Sequence, residues 1–255
     1  MRRHLPFYMV VTACLSGLVV FQVMEGRSVA SAFRAAAAYG DGVVVLDDPS
    51  LTPGTRRLLS SIRFNTAIQY APPKMNMPRQ VIQAYERARM FDAALDVYDV
   101  LVANDPSLGM LIAAGNCAYQ LGDLDRAEPF FREAIHRYPD DPTAYNALGY
   151  MMAELDTRLD EAETLILRAL DIVQRRPSPF GARVLLPDVA REEAVYRDSL
   201  GWVYYREGRY VEAVEQLESA YRAMPGNIEV RTHLELAKER LAEAAPQSRR
   251  GTRDA

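Results

Sequence analysis

Metal, acid–base or nucleophilic chemistry would start from three histidines, two cysteines and a few adjacent carboxylates. His4, His136 and His233 stand far apart and on different elements. Cys14 and Cys117 make neither a zinc-ligand pattern nor a CxxC redox pair. Cys117 sits in a helical run as a small buried apolar residue. Asp47–Asp48 and Asp140–Asp141 precede or join helices, where capping and dipole compensation account for them, and His136 suits a helix carboxyl end. The chain holds no HExxH, GxSxG, P-loop or Rossmann fingerprint. This set implies no catalytic residue, no metal and no cofactor, and the reading is of a protein that is not an enzyme. What remains is the chemistry of binding. The stretch "DSLGWVYYREGRYVEAVEQLESAYRAMP" (198–225) carries the only tryptophan beside two tyrosines and an arginine, and aromatics and arginine dominate the energy of protein interfaces.

Those side chains need elements to hold them. The chain has 255 residues, 49% apolar and 25% charged, which is ample for a buried core. A formal charge of −4, with arginines spread along helices beside acids, argues against nucleic acid as a partner.

Internal periodicity organises the rest. "GDLDRAEPFFREAIHRYP" (122–139) and "GRYVEAVEQLESAYRAMP" (208–225) both open on glycine and close on proline. Alanines recur inside them, Ala127 and Ala134 in one, Ala213 and Ala220 in the other. "RMFDAALDVYDVLVANDP" (89–106) repeats the frame through Ala94, Tyr98, Leu101 and Pro106, and "RLDEAETLILRAL" (158–170) through Ala162, Ile166 and Ala169. A second helical pattern lies upstream, with a small residue at one crossing point: Gly115, Gly149 and Gly201. Two antiparallel helices approach closely only where such a residue lets them, and proline ends the second helix of each pair. Large residues (Tyr98, Phe131, Ile166, Leu217) then fill the space between successive pairs.

On these residues the chain resembles the tetratricopeptide (TPR) repeat family: "LGWVYYREGRYVEAVEQLESAYRAMP" follows its leucine-glycine, tyrosine, alanine, apolar, alanine, proline pattern. The resemblance implies an all-α, right-handed solenoid of helix hairpins, with four repeats (75–107, 108–141, 142–176 and 194–227) and a capping helix, 228–244. Repeat one departs from the pattern, with Ile82 at the crossing, and repeat three has an extra turn residue and Gln174 in place of a proline. An insert at 177–193, rich in proline, reads as a loop or short broken helix. Residues 33–74 read as an N-terminal extension in which "YGDGVVVLDDPS" is loop or a short extended piece. A helix follows there, with Thr52 as N-cap and Pro53 in its first turn, as a degenerate half-repeat. The tail, 245–255, reads as disordered.

In such a solenoid the first helix of each pair lines a concave groove. The resemblance therefore puts Asn116, Tyr119 and Gln120, then Asn146 and Tyr150, then Trp202, Tyr205 and Arg206 on the groove side, with Leu200 and Tyr204 in the core. Trp202 packing under the insert or against the cap is the competing placement. A basic clamp for a peptide carboxylate is missing, since Asn116 has no basic companions.

The amino terminus gives the location. Arg2 and Arg3 precede an apolar run from Leu5 to Met24, followed by Ala30–Ser31–Ala32. That order is a signal peptide cleaved after Ala32, or a membrane anchor through residues 5–24 if uncleaved, with acylation at Cys14 a third reading. Each places the remainder outside the cytoplasm, periplasmic or membrane-anchored. The expectation is a non-catalytic, exported scaffold that binds a protein or peptide segment in its groove within a bacterial cell-envelope assembly. The alternatives are a structural subunit of a membrane machine of pilus or secretion type, assembling through its insert and N-terminal region, and an enzyme accessory subunit.

Overall fold

A computed structural model describes residues 26–176 and 187–244. The apolar N-terminal run, most of the insert and the tail lie outside the described residues, and so do the readings placed on them. The described residues form eleven α-helices and no strand. No helix among them is long and apolar enough to cross a membrane. The chain divides into two compact units, Met1–Asn104 and Asp105–Ala255.

The first unit contains α1 (Gly26–Asp47), α2 (Pro53–Tyr70), one turn of 3-10 helix at Pro73–Met75, α3 (Met77–Arg87) and α4 (Phe91–Asn104). The second contains α5 (Leu108–Tyr119), α6 (Leu124–Arg137), α7 (Thr143–Glu154), α8 (Leu159–Arg175), α9 (Pro187–Arg206), α10 (Tyr210–Ala223) and α11 (Ile228–Ala244).

The three hairpins of the second unit each close on a glycine, whereas α3 carries Ile82 at that position. A Cβ on Gly115 would lie 2.5 Å from the Phe131 ring, one on Gly149 2.7 Å from Ile166, and one on Gly201 2.6 Å from Leu217. Only glycine fits, and the large residue of the second helix sits directly over the first helix backbone. These large residues, expected to fill the space between successive pairs, thus pack inside their own hairpin. The alanines of the repeat (Ala94, Ala127, Ala134, Ala162, Ala169, Ala213, Ala220) are all 0% exposed, so no larger side chain has room at the seams.

The turn after the first helix of each of the four repeats needs one left-handed residue. It is Arg89 (φ 56), Gly122 (φ 68), Asp156 (φ 52) and Gly208 (φ 77), each seven residues past the crossing position. Glycine adopts this conformation freely and other residues at a cost of about 1 kcal/mol. The extra turn residue of the third repeat adds a second such residue, Arg158 (φ 48).

Two readings of the sequence are corrected. "YGDGVVVLD" is neither loop nor extended, because it completes α1. Ala32, Ala35, Ala38, Gly42 and Leu46 form a buried stripe at helical spacing, and a Cβ on Gly42 would lie 2.4 Å from the Phe64 ring. Packing on α2 outweighs the low helix propensity of glycine. Residues 26–70 are therefore a complete helix pair, and more than half a repeat. Thr52 caps α2 as expected, accepting from the Thr55 N–H at 3.2 Å, with Pro53 at its first position. The second correction concerns the end of the insert. From Pro187 it is helix, prolonging α9 at its N-terminal end, and Glu192 and Glu193 tie it to α8 through Arg176 (2.6 Å) and Gln174 (3.2 Å).

Candidate functional site

The second unit gathers aromatic and acidic side chains from α7, α9 and α11, with α5 contributing at one end. On α9, Leu200, Val203 and Tyr204 are buried, and the Tyr204 hydroxyl donates to Glu163 of α8 at 2.9 Å. A residue two places before Tyr204 leaves a helix by its opposite side, so Trp202 faces α11. Its indole is stacked between Tyr205 (centroids 4.8 Å apart, 10° between planes) and His233 of α11 (4.3 Å, 19°). Arg206 lies over the same ring at 6.0 Å and pairs with Asp156 at 3.4 Å.

His233 is held from beneath. Its Nδ1 meets the Asp198 carboxylate at 3.1 and 3.3 Å, one turn before Trp202 on α9, and both residues are buried. A buried carboxylate needs such a partner. The contact fixes α11 against α9 and sets the rotation of α11. Asn227 starts that helix, its side-chain oxygen accepting from the Glu229 N–H (2.9 Å) and the Val230 N–H (3.2 Å).

With α11 so placed, Glu229 reaches α7. The Tyr150 hydroxyl donates to Glu229 Oε1 at 2.7 Å, and the Tyr150 ring lies 6.5 Å from that of His233. The Tyr119 hydroxyl of α5 faces the Glu154 carboxylate of α7 in the same neighbourhood. Burial pushes both phenols up, Tyr119 to about 12, and the carboxylates reinforce the shift: Glu154 chiefly for Tyr119, Glu229 chiefly for Tyr150. Two buried polar atoms here make no hydrogen bond within the described protein, the donor Trp202 Nε1 and the acceptor Asn146 Oδ1. Orphaned buried groups are uncommon, and a ligand can supply what they lack.

Of the residues named from sequence, Tyr119, Tyr150, Trp202, Tyr205 and Arg206 come together. Asn146 is half-buried on α7, while Asn116 and Gln120 stand exposed on α5, Gln120 as its C-cap. Trp202 faces the cap and the wall at once: only 9% exposed, it is a supporting plate whose outer neighbour Tyr205 is half-buried. Glu154, Asp198, Glu229 and His233 were not named. A signal existed for the last two, because Glu229 and His233 follow Pro225 at positions the repeat assigns to a first helix. Treating α11 as a plain cap hid it.

The first unit has a cleft of about 390 Å³ lined by Arg57, Ser61, Asn65, Tyr85, Asp96 and Val100. Its charge is spent internally, as Arg57 pairs with Asp92 and, at 2.8 Å, with Asp96.

Comparison with known proteins agrees with this geometry. The tetratricopeptide repeat family model matches residues 112–181. The TPR repeat-containing protein PA4667 of Pseudomonas aeruginosa is 35% identical over 127 residues, which are 50% of this chain and 18% of that relative. The chain thus spans under a fifth of the curated relative it matches. Among solved structures, a thermophilic TPR protein of Thermus thermophilus, TTC0263, is similar at TM-score 0.50 and 18% identity, covering 80% of this chain and 99% of its own. Yeast Tom70 is similar at TM-score 0.51 and 16% identity, over 82% of this chain and 40% of its own. At such identities the likeness concerns the fold.

Proposed function

From a chain whose helix pairs are tetratricopeptide repeats, we propose an exported, non-catalytic scaffold that binds an extended protein segment along α5, α7, α9 and α11. Repeats of this kind serve generally as protein-interaction scaffolds, and their relatives are typically non-catalytic. The observation that carries the reading here is the aromatic wall of Tyr119, Tyr150, Trp202 and Tyr205, with an unpaired donor at Trp202 and an unpaired acceptor at Asn146. A peptide backbone offers both complements, a carbonyl for the indole N–H and an N–H for the amide oxygen.

Export rests on Arg2, Arg3 and the apolar run that follows them. Between cleavage after Ala32 and a retained anchor, two of its three readings, α1 favours the anchor. Ala30–Ser31–Ala32 lies inside α1, and cleavage after the buried Ala32 would remove the first turns of a helix packed on α2. Such a protein would sit at the cell envelope with its groove outside the cytoplasm, holding another component there.

The test is recovery of partners from cells by the full chain and by two variants. Trp202→Phe keeps a stacking ring and loses the N–H, and Asn146→Ala loses the acceptor. Both should keep the far-ultraviolet dichroism of the parent and lose most of the recovered partner. Undiminished recovery by both variants would contradict the groove.

A further inference from the structure

We propose that the segment taken by this groove is cationic, presenting a lysine or arginine side chain to the two phenols and two carboxylates that α5, α7 and α11 bring together. The proposal rests on the groove reading above and adds the chemistry of the occupant.

Four groups define the spot. Tyr150 donates to Glu229 at 2.7 Å, across 79 residues of sequence, and the Tyr119 hydroxyl faces the Glu154 carboxylate. Two carboxylates, Glu154 and Glu229, raise both hydroxyls, and Tyr119 adds to the effect on Tyr150. Two arginines of the neighbouring helices are already engaged. Arg206 pairs with Asp156 and faces the Trp202 ring, and Arg231 pairs with Glu235 along the exposed side of α11. His233, which packs beside Tyr150, is matched by Asp198. The wall thus carries unbalanced negative charge next to aromatic faces.

An acidic occupant would meet like charge there, which costs several kcal/mol at close range. A neutral one would leave both carboxylates half-desolvated without a counter-charge. An ammonium or guanidinium answers both and gains attraction from the aromatic faces.

The chain reports on its own groove, because Trp202 is its single tryptophan. The full chain, kept in mild non-ionic detergent, is titrated with three labelled peptides of equal length that differ only in carrying arginine, glutamine or glutamate. Label anisotropy and tryptophan emission are followed together over a salt series. The arginine peptide should bind, change the Trp202 emission and weaken as salt rises. Glu154→Gln and Glu229→Gln, which retain acceptor oxygens for the tyrosines, should each weaken it about tenfold, the size of one charge-assisted contact. Glu133→Gln, on the exposed face of α6, should change nothing.

An arginine peptide that leaves Trp202 emission untouched, or binds equally well to both groove variants, overturns the proposal. If the glutamine or glutamate peptide binds as tightly and still changes the emission, the charge assignment falls and the groove stands. If no peptide changes the emission and partner recovery also survives Trp202→Phe and Asn146→Ala, the groove falls with it.

Discussion

Tyrosine ionisation ties single residues of the second unit to its stability. Tyr119 and Tyr204 are pushed up to about 12, and Tyr150 and Tyr196 are also raised. Burial is the first cause in all four, reinforced by Glu154, Glu163, Glu229 and Glu192 respectively. A tyrosine in the unfolded chain ionises near pH 10. With the folded value raised, the contribution is complete below about pH 10 and is lost as pH climbs through the folded value. The account predicts that the tyrosinate absorbance lost on replacing these four tyrosines rises together with loss of helical dichroism above about pH 10. Tyr150→Phe should soften that transition and cost roughly 1 kcal/mol at neutral pH, the worth of a hydrogen bond to a carboxylate. Tyrosinate forming fully while the helices persist would contradict it. At this scale the sequence was half legible. Aromatic residues at helical spacing pointed to the wall, whereas the carboxylates that complete it come from residues up to 79 positions away and have no local signature.

Helix pairs were legible wherever the crossing residue and its partner keep one spacing. Gly115 to Phe131 and Gly201 to Leu217 are 16 residues apart, and Gly149 to Ile166 is 17. The α1–α2 pair escaped because Gly42 and Phe64 are 22 apart, α2 running eleven residues before its crossing position where α6, α8 and α10 run seven. Two glycines of α1 make the pairing testable. Gly42 faces Phe64 with no room for a Cβ, while Gly40, half a turn away, has nothing within 4 Å. Gly40→Ala should stabilise the protein by about 0.5–1 kcal/mol through helix propensity alone. Gly42→Ala should destabilise it by about 1–2 kcal/mol net, overpacking outweighing the same propensity gain. Equal and favourable shifts in thermal midpoint for both would mean that α1 does not cross α2 at Gly42. The insert escaped for another reason: prolines and a glycine at its start masked a helix that begins at Pro187, where proline suits a first turn.

At the largest scale, repetition supplies the first helices of the second unit, and the particular side chains on α5, α7, α9 and α11 decide what they can hold. The fold could be read from glycine, alanine and proline spacing because those residues answer to local packing limits. The partner could not, since the wall's charge balance depends on which acids remain unmatched after every hairpin has stacked. Placing a photo-crosslinking amino acid at Tyr205, on the wall, and in a second strain at Thr164, exposed on α8, asks the central question in living cells. The account predicts a discrete protein adduct from position 205 and none from 164; an adduct confined to 164 would put the working face on the other side of the hairpins.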